Sequence, residues 1–162
     1  MYYIMKYPSP VGELTVASDG ENIIGLWLEG QKYFAATINE DAIEKELPIF
    51  DEARRWLDIY FSGREPDFLP PLAPRGSEFR RAVWGELLRI PYGETVSYGE
   101  IAKRLGGKTS ARAVGGAVGH NPISIIIPCH RVVGAKGSLT GYAGGVDKKK
   151  QLLRLEKAVI YF

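Results

Sequence analysis

The segment REPDFLPPLAPRGS carries prolines at 66, 70, 71 and 74. A ring that fixes φ and removes the N–H cannot continue a helix, so this stretch is predicted to run as an extended connector. It divides the 162-residue chain into two halves with different periodicities. The fold class expected is α+β: a small N-terminal antiparallel sheet with one helix over residues 1–75, then a helix-turn-helix, winged-helix-like domain over residues 76–162.

Ahead of the connector, YYIMKY, ELTVAS and NIIGLWL alternate apolar and polar positions and are separated by the turn-formers SPVG and SDGE, which predicts three adjacent antiparallel strands. From Leu47 to Phe61 the period changes. Phe50, Ala53, Trp56, Leu57, Tyr60 and Phe61 share one helical face, and Gly63 supplies a stop. After the connector, Ser77 caps a helix with apolar positions at Phe79, Val83, Leu87 and Ile90. Ser97-Tyr98-Gly99-Glu100 has the form of a capping box and opens a second helix that Gly106 and Gly107 end. Thr109 or Ser110 caps a third, SARAVGGAVG, giving helix-turn-helix spacing. Ile125 to Ile127 reads as a short strand, RVVGAKGSLTGY as a hairpin around Ala135-Lys136-Gly137, and Asp147 as the cap of a last helix containing Leu152, Leu153 and Leu155.

Composition removes several classes of function. No apolar run approaches the roughly 20 residues of a membrane span, and MYYIMKYPSP lacks the basic-then-apolar order of a signal peptide. A soluble, cytoplasmic protein is expected. One cysteine and two histidines provide neither an internal disulfide nor a zinc ligand set, so no metal and no cofactor are expected. Charge is uneven: residues 1–75 hold 7 Lys/Arg against 13 Asp/Glu, a balance of −6, whereas residues 76–162 hold 14 against 6, a balance of +8. A basic half of this kind is either a solvated face or a surface for the phosphate backbone.

Two stretches carry the functional signal. In SARAVGGAVG only Arg112 is large, and Gly115 and Gly116 sit mid-helix at about 1 kcal/mol each relative to alanine. Either the helix packs closely on a neighbour, or it approaches a nucleic-acid groove about 6 Å wide with Arg112 projecting. The second stretch is IIIPCHRVVG, where the lone cysteine stands beside a histidine. A buried free cysteine ordinarily packs as a small hydrophobe; Pro128, His130 and Arg131 around Cys129 argue for reactivity instead.

Ile-Pro-Cys-His-Arg-Val-Val at 127–133, with Arg-Ala-Val-Gly-Gly-Ala at 112–117 and Asn121-Pro122, resembles the O6-alkylguanine-DNA alkyltransferases, over roughly residues 76 to 157. The resemblance implies double-stranded DNA containing O6-alkylguanine as partner, a monomer in the absence of DNA, and irreversible transfer of the alkyl group, from O6 of a flipped guanine and possibly from O4 of thymine, to Cys129. By the same likeness His130, oriented by Glu156, takes the thiol proton, and Tyr98 assists the departing purine. Arg112, Ala113, Gly115 and Gly116 meet the DNA. Val132, Tyr142, Ala143 and Ser124 line the base pocket, and Asn121 and Pro128 shape the active turn. Many relatives have serine where this chain has Ala143. The alternatives weighed against this reading are a cysteine hydrolase, a non-catalytic reader of alkylated bases, and a transcriptional helix-turn-helix protein.

Overall fold

The computed structural model describes residues 1–32, 34–35, 41–139, 142 and 145–158. Strands β1 (Tyr2–Ser9), β2 (Gly12–Ser18) and β3 (Ile23–Leu28) form the expected antiparallel meander. Gly12, with φ of +105°, closes the first hairpin, where a side chain would be strained. The sequence reading misses β4 (Ala42–Glu44), three largely exposed residues that pair parallel to β1 and complete the order β3-β2-β1-β4. Helix α1 (Pro48–Phe61) lays Phe50, Ala53, Leu57 and Tyr60 against Leu14, Val16 and Leu26. Gly63 beyond its end matches the sequence signal, and Pro48 sits in the first turn, where its missing N–H has no helical partner to lose.

The proline-rich connector is extended, as expected, but it is not loose. Ile23 N–H donates to Pro71 O at 2.8 Å and Ala73 N–H to Ile23 O at 2.9 Å, so it hydrogen-bonds to the start of β3. The other end of that strand is covered by residues 122–124: Leu26 N–H donates to Pro122 O at 2.8 Å and Ser124 N–H to Leu26 O at 2.9 Å. An otherwise bare sheet edge is thereby satisfied. The same bonds hold the segment leading to Cys129 against the N-terminal sheet, and one apolar core runs through both halves.

In the C-terminal half, α2 (Glu78–Leu87), α3 (Tyr98–Arg104) and α4 (Ala111–Gly119) start at Ser77, Ser97 and Ser110, each hydroxyl accepting from the backbone N–H three residues on. Phe79, assigned to the apolar face of α2, is instead 39% exposed. The Trp84 indole donates to Ala117 O at 2.8 Å and fixes α2 across α4. Two-residue strands β5 (Val96–Ser97) and β6 (Val132–Val133) pair in parallel, and α5 (Val146–Leu155) closes the chain's described part. None of the described helices is long and apolar enough to cross a membrane.

Three local expectations are corrected. Ile125 to Ile127 is a coiled turn, with Ile125 at φ +72°, a strained conformation for a β-branched residue. Only Ile123 bridges to the sheet; the buried isoleucines behind it follow Ile127 N–H to Ile123 O at 3.0 Å instead of a ladder. The predicted hairpin reduces to a tight turn at 135–137, because β6 finds its partner in β5. Asp147 lies inside the first turn of α5, and Gly145, at φ +100°, occupies the cap position.

Candidate active site

Cys129, His130 and Arg131 form one 3-10 turn, all buried, with Pro128 immediately before it. Asn121 determines how the chain reaches that turn. Its side-chain amide donates to Ile127 O at 2.8 Å while its carbonyl accepts from Ile123 N–H at 3.0 Å, bracketing the coiled isoleucines. The asparagine thus supplies the partners that a strand would otherwise have provided.

Cys129 is 3% exposed, and burial pushes its thiol pKa up. Three neighbours act the other way: the Asn121 side chain, the ammonium of Lys149 and the Tyr142 hydroxyl. The Tyr142 hydroxyl is buried near the thiol and Ser124 without a well-formed hydrogen bond to either. Ser124 itself is buried, its hydroxyl donating to Gln31 at 3.1 Å.

His130 is fully buried, which lowers its pKa despite the carboxylate of Glu156 beside it. At neutral pH the ring is therefore uncharged. Nε2 lies 2.5 Å from Glu156 Oε2, and Nδ1 has no hydrogen-bond partner among the described residues. With the proton on Nε2 donated to the carboxylate, the Nδ1 lone pair is left to accept a proton.

Glu156, at the C-terminal cap of α5, is the hub. Oε2 receives His130 and the Tyr60 hydroxyl, both at 2.5 Å, while Oε1 receives Arg131 Nε at 2.8 Å and Gly93 N–H at 3.1 Å. Burial alone raises its pKa, but the His130 and Arg131 bonds and charges outweigh burial and bring it to about 2. Arg131 also donates to Ile90 O at 2.8 Å, tying the end of α2 to the same carboxylate.

Lys149 was unforeseen. It is fully buried, its ammonium donating to Val132 O at 2.6 Å, and desolvation lowers its pKa to about 8 even though Cys129 acts to raise it. In DKKK it reads as part of a solvated charge run, yet Lys149, Leu152, Leu153 and Glu156 are spaced i, i+3, i+4, i+7 and share the buried face of α5. That spacing was the available signal. Val132, one of the residues expected to line the base pocket, already has its carbonyl accepting from Lys149; a carbonyl oxygen has a second lone pair for another donor. Replacing Lys149 with methionine removes one of the groups that holds the thiol pKa down, so it is expected to raise that pKa further and slow iodoacetamide alkylation of Cys129 at pH 7. The pH dependence of that alkylation, compared with wild type, checks it.

The second group of expected residues lies on the helix-turn-helix. Tyr98 opens α3, half-buried, and a Cβ on Gly115 would lie 3.8 Å from its ring, in ordinary contact. Ala111, Arg112, Ala113 and Gly116 are exposed, and a Cβ at Gly116 or Gly119 would meet no atom within 4 Å. Close helix packing therefore does not account for Gly116. Lys103, Arg104 and Lys108 are also exposed on this motif. The two groups are joined through β5 and β6, where Val96 pairs with Val132 and Ser97, the cap of Tyr98's helix, with Val133. His120 is half-buried with Nδ1 2.7 Å from Gly116 O. Ala143 lies outside the described residues.

Family models match both halves of the chain: the 6-O-methylguanine DNA methyltransferase ribonuclease-like domain over residues 1–74 and the DNA-binding domain of the same name over residues 78–158. The chain belongs to the 6-O-methylguanine DNA methyltransferase family. Methylated-DNA--protein-cysteine methyltransferases of Haemophilus influenzae and Methanosarcina acetivorans are each 47% identical to it; the first alignment covers 96% of this chain and 86% of the relative, the second 96% and 98%. Among solved structures, Mycobacterium tuberculosis OGT in complex with DNA matches with a TM-score of 0.83 at 46% identity, covering 96% of this chain and 92% of that one. In this family member the lone described thiol and a neutral imidazole are neighbours on one buried turn, and the imidazole is hydrogen-bonded to a buried carboxylate.

Proposed function

We propose that this chain repairs duplex DNA by moving an alkyl group from O6 of guanine to Cys129, once per molecule. The observation that carries the reading is the conjunction of Cys129 with a neutral His130 whose Nδ1 is uncommitted and whose Nε2 is fixed by Glu156. The named activity of its close relatives points the same way.

Chemically, Sγ forms a bond to the alkyl carbon as that carbon's bond to O6 breaks. The thiol proton passes to His130 Nδ1, directly or through water, and the electron pair of the broken bond stays on the purine. Tyr98, at the start of α3, gives a proton to the departing base, and the proton taken up by His130 replaces it through solvent. The product is a thioether and an unmodified guanine. A thioether is not hydrolysed under mild conditions, so the protein is consumed and no cofactor is required. Guanine restored per chain should saturate at one in a digest of the treated DNA; continued turnover would favour a cysteine hydrolase.

DNA is met by α4, whose exposed small residues permit close approach to a groove while Lys103, Arg104 and Lys108 face the phosphates. Arg112 makes no ion pair or hydrogen bond among the described residues and fills the stack in place of the extruded base. The chain acts as a monomer when DNA is absent. Arg112→Ala is expected to slow repair of duplex by about ten- to a hundred-fold while leaving reaction with the free alkylated base within about two-fold, given an unstacking penalty of a few kcal/mol. Single-turnover rates on the two substrates measure this, and equal losses on both would remove the base-replacement role.

A further inference from the structure

We propose that Tyr60, carried by α1 of the N-terminal half, is a positioning residue for the His130–Glu156 pair: its hydroxyl donates to the same carboxylate oxygen that receives His130, fixing the histidine tautomer and damping the carboxylate's charge. The proposal deepens the alkyl-transfer reading and rests on it for its kinetic test.

Tyr60 O–H lies 2.5 Å from Glu156 Oε2 and 3.3 Å from His130 Nε2, so three polar groups converge on one point. The hydroxyl hydrogen is committed to the carboxylate. Nε2 therefore faces only oxygen lone pairs, those of Oε2 and of the phenol, and in the neutral ring must itself carry the hydrogen. Nδ1 is then the nitrogen that keeps its lone pair. Tyr60 also withdraws charge from the oxygen nearest the imidazole, so a protonated His130 gains less from Glu156 than it would from a bare carboxylate. The ring stays neutral and able to accept a proton.

The position of the hydroxyl is held by aromatic packing. The Tyr60 ring stacks on Trp56 at 5.3 Å, meets Phe61 and Tyr92 edge-on, and stands 6.4 Å from the His130 ring. The other ionisable groups around this cluster among the described residues are Cys129 and Arg131 from the turn of His130, Lys149 and Glu156 from the α5 segment, and Tyr142, with Tyr92 against Tyr60 and Arg131. Apart from Tyr60 these groups all come from the C-terminal half. A hydroxyl on the N-terminal half thus completes the hydrogen bonding of the Glu156 carboxylate.

The test uses the full chain with Tyr60→Phe, which keeps the ring and removes the donor. Because the protein has two histidines, imidazole 15N NMR follows His130 with His120 as an internal reference. The His130 titration should move up by about one pH unit, and the acid limb of the alkyl-transfer profile should move with it, giving a reaction slower by up to roughly ten-fold on that limb and little change near pH 8. Unchanged His130 titration in the folded variant, or a rate loss equal at all pH values, would overturn the proposal. Site-specific 3-fluorotyrosine at position 60, a stronger donor with nearly the same shape, should move His130 the opposite way; no movement would also overturn it. The NMR measurement requires no alkylated DNA. A His130 shift in a protein that transfers no alkyl group would therefore refute the proposed function and leave the positioning role standing.

Discussion

Cys129→Ala is expected to bind duplex containing O6-methylguanine with an affinity within about three-fold of wild type, and to restore none of the guanine. Cysteine behaves in a core as a small hydrophobe, and the side chain here is 3% exposed within the shared apolar cluster, so alanine removes one atom and leaves the surroundings in place. Asn121 bonds to the backbone of Ile123 and Ile127 and continues to hold the turn. The exposed face of α4 is untouched. Gel-shift titration on an alkylated duplex, paired with nucleoside analysis of the same DNA after incubation, checks both halves of the expectation. Residual transfer to the protein would mean that another nucleophile accepts the group.

Glu156→Ala destabilises the fold by about 3–5 kcal/mol, the range for leaving buried charged partners unpaired. Arg131, Tyr60, His130 and the Gly93 N–H all lose the same acceptor, and the groups come from three separate segments of the chain. The alanine variant also loses the orienting bond to His130 and reacts at least about a hundred-fold more slowly, by analogy with the usual worth of general-base catalysis. Acid denaturation provides a separate signature. The Glu156 pKa is about 2 in the folded protein against 4.5 for the unperturbed group, a depressed value, so its contribution is fully present above about pH 4.5 and is lost as the pH falls through about 2. On linkage grounds that contribution is about 3 kcal/mol. Wild type should lose this stability across the window, and the alanine variant should not. Urea melts at several pH values compare the two slopes.

The parts of this molecule that were legible in its sequence are those governed by local rules. Strand alternation, the serine caps at 77 and 97 and the proline-rich connector all depend on neighbours within a few residues, and the structure reproduces them; of the two caps open for the third helix, Thr109 and Ser110, it uses Ser110. The errors lie where tertiary partners decide. Ile125 to Ile127 has the composition of a strand, but no ladder lies beside it, and Asn121 draws it into a coil. Two-residue β6 pairs with β5 across the fold, a choice that the local hairpin pattern could not reveal. The reactive turn was visible because cysteine next to histidine is chemically unusual, whereas Tyr60 and Lys149 were hidden by their own neighbours, one among aromatics and the other among lysines. Their positions on buried stripes, Tyr60 on the apolar face of α1 and Lys149 on that of α5, were the readable clue: a buried hydroxyl or ammonium must find a partner.

The most direct measurement is the intact mass of the protein after incubation with excess duplex containing O6-methylguanine, followed by peptide mapping. The account predicts a gain of one methyl group per chain, saturating there, and confined to the peptide that contains Cys129. An unchanged mass, in a protein with a reduced thiol and demonstrated binding to that duplex, would contradict it and identify the chain as a reader of alkylated DNA.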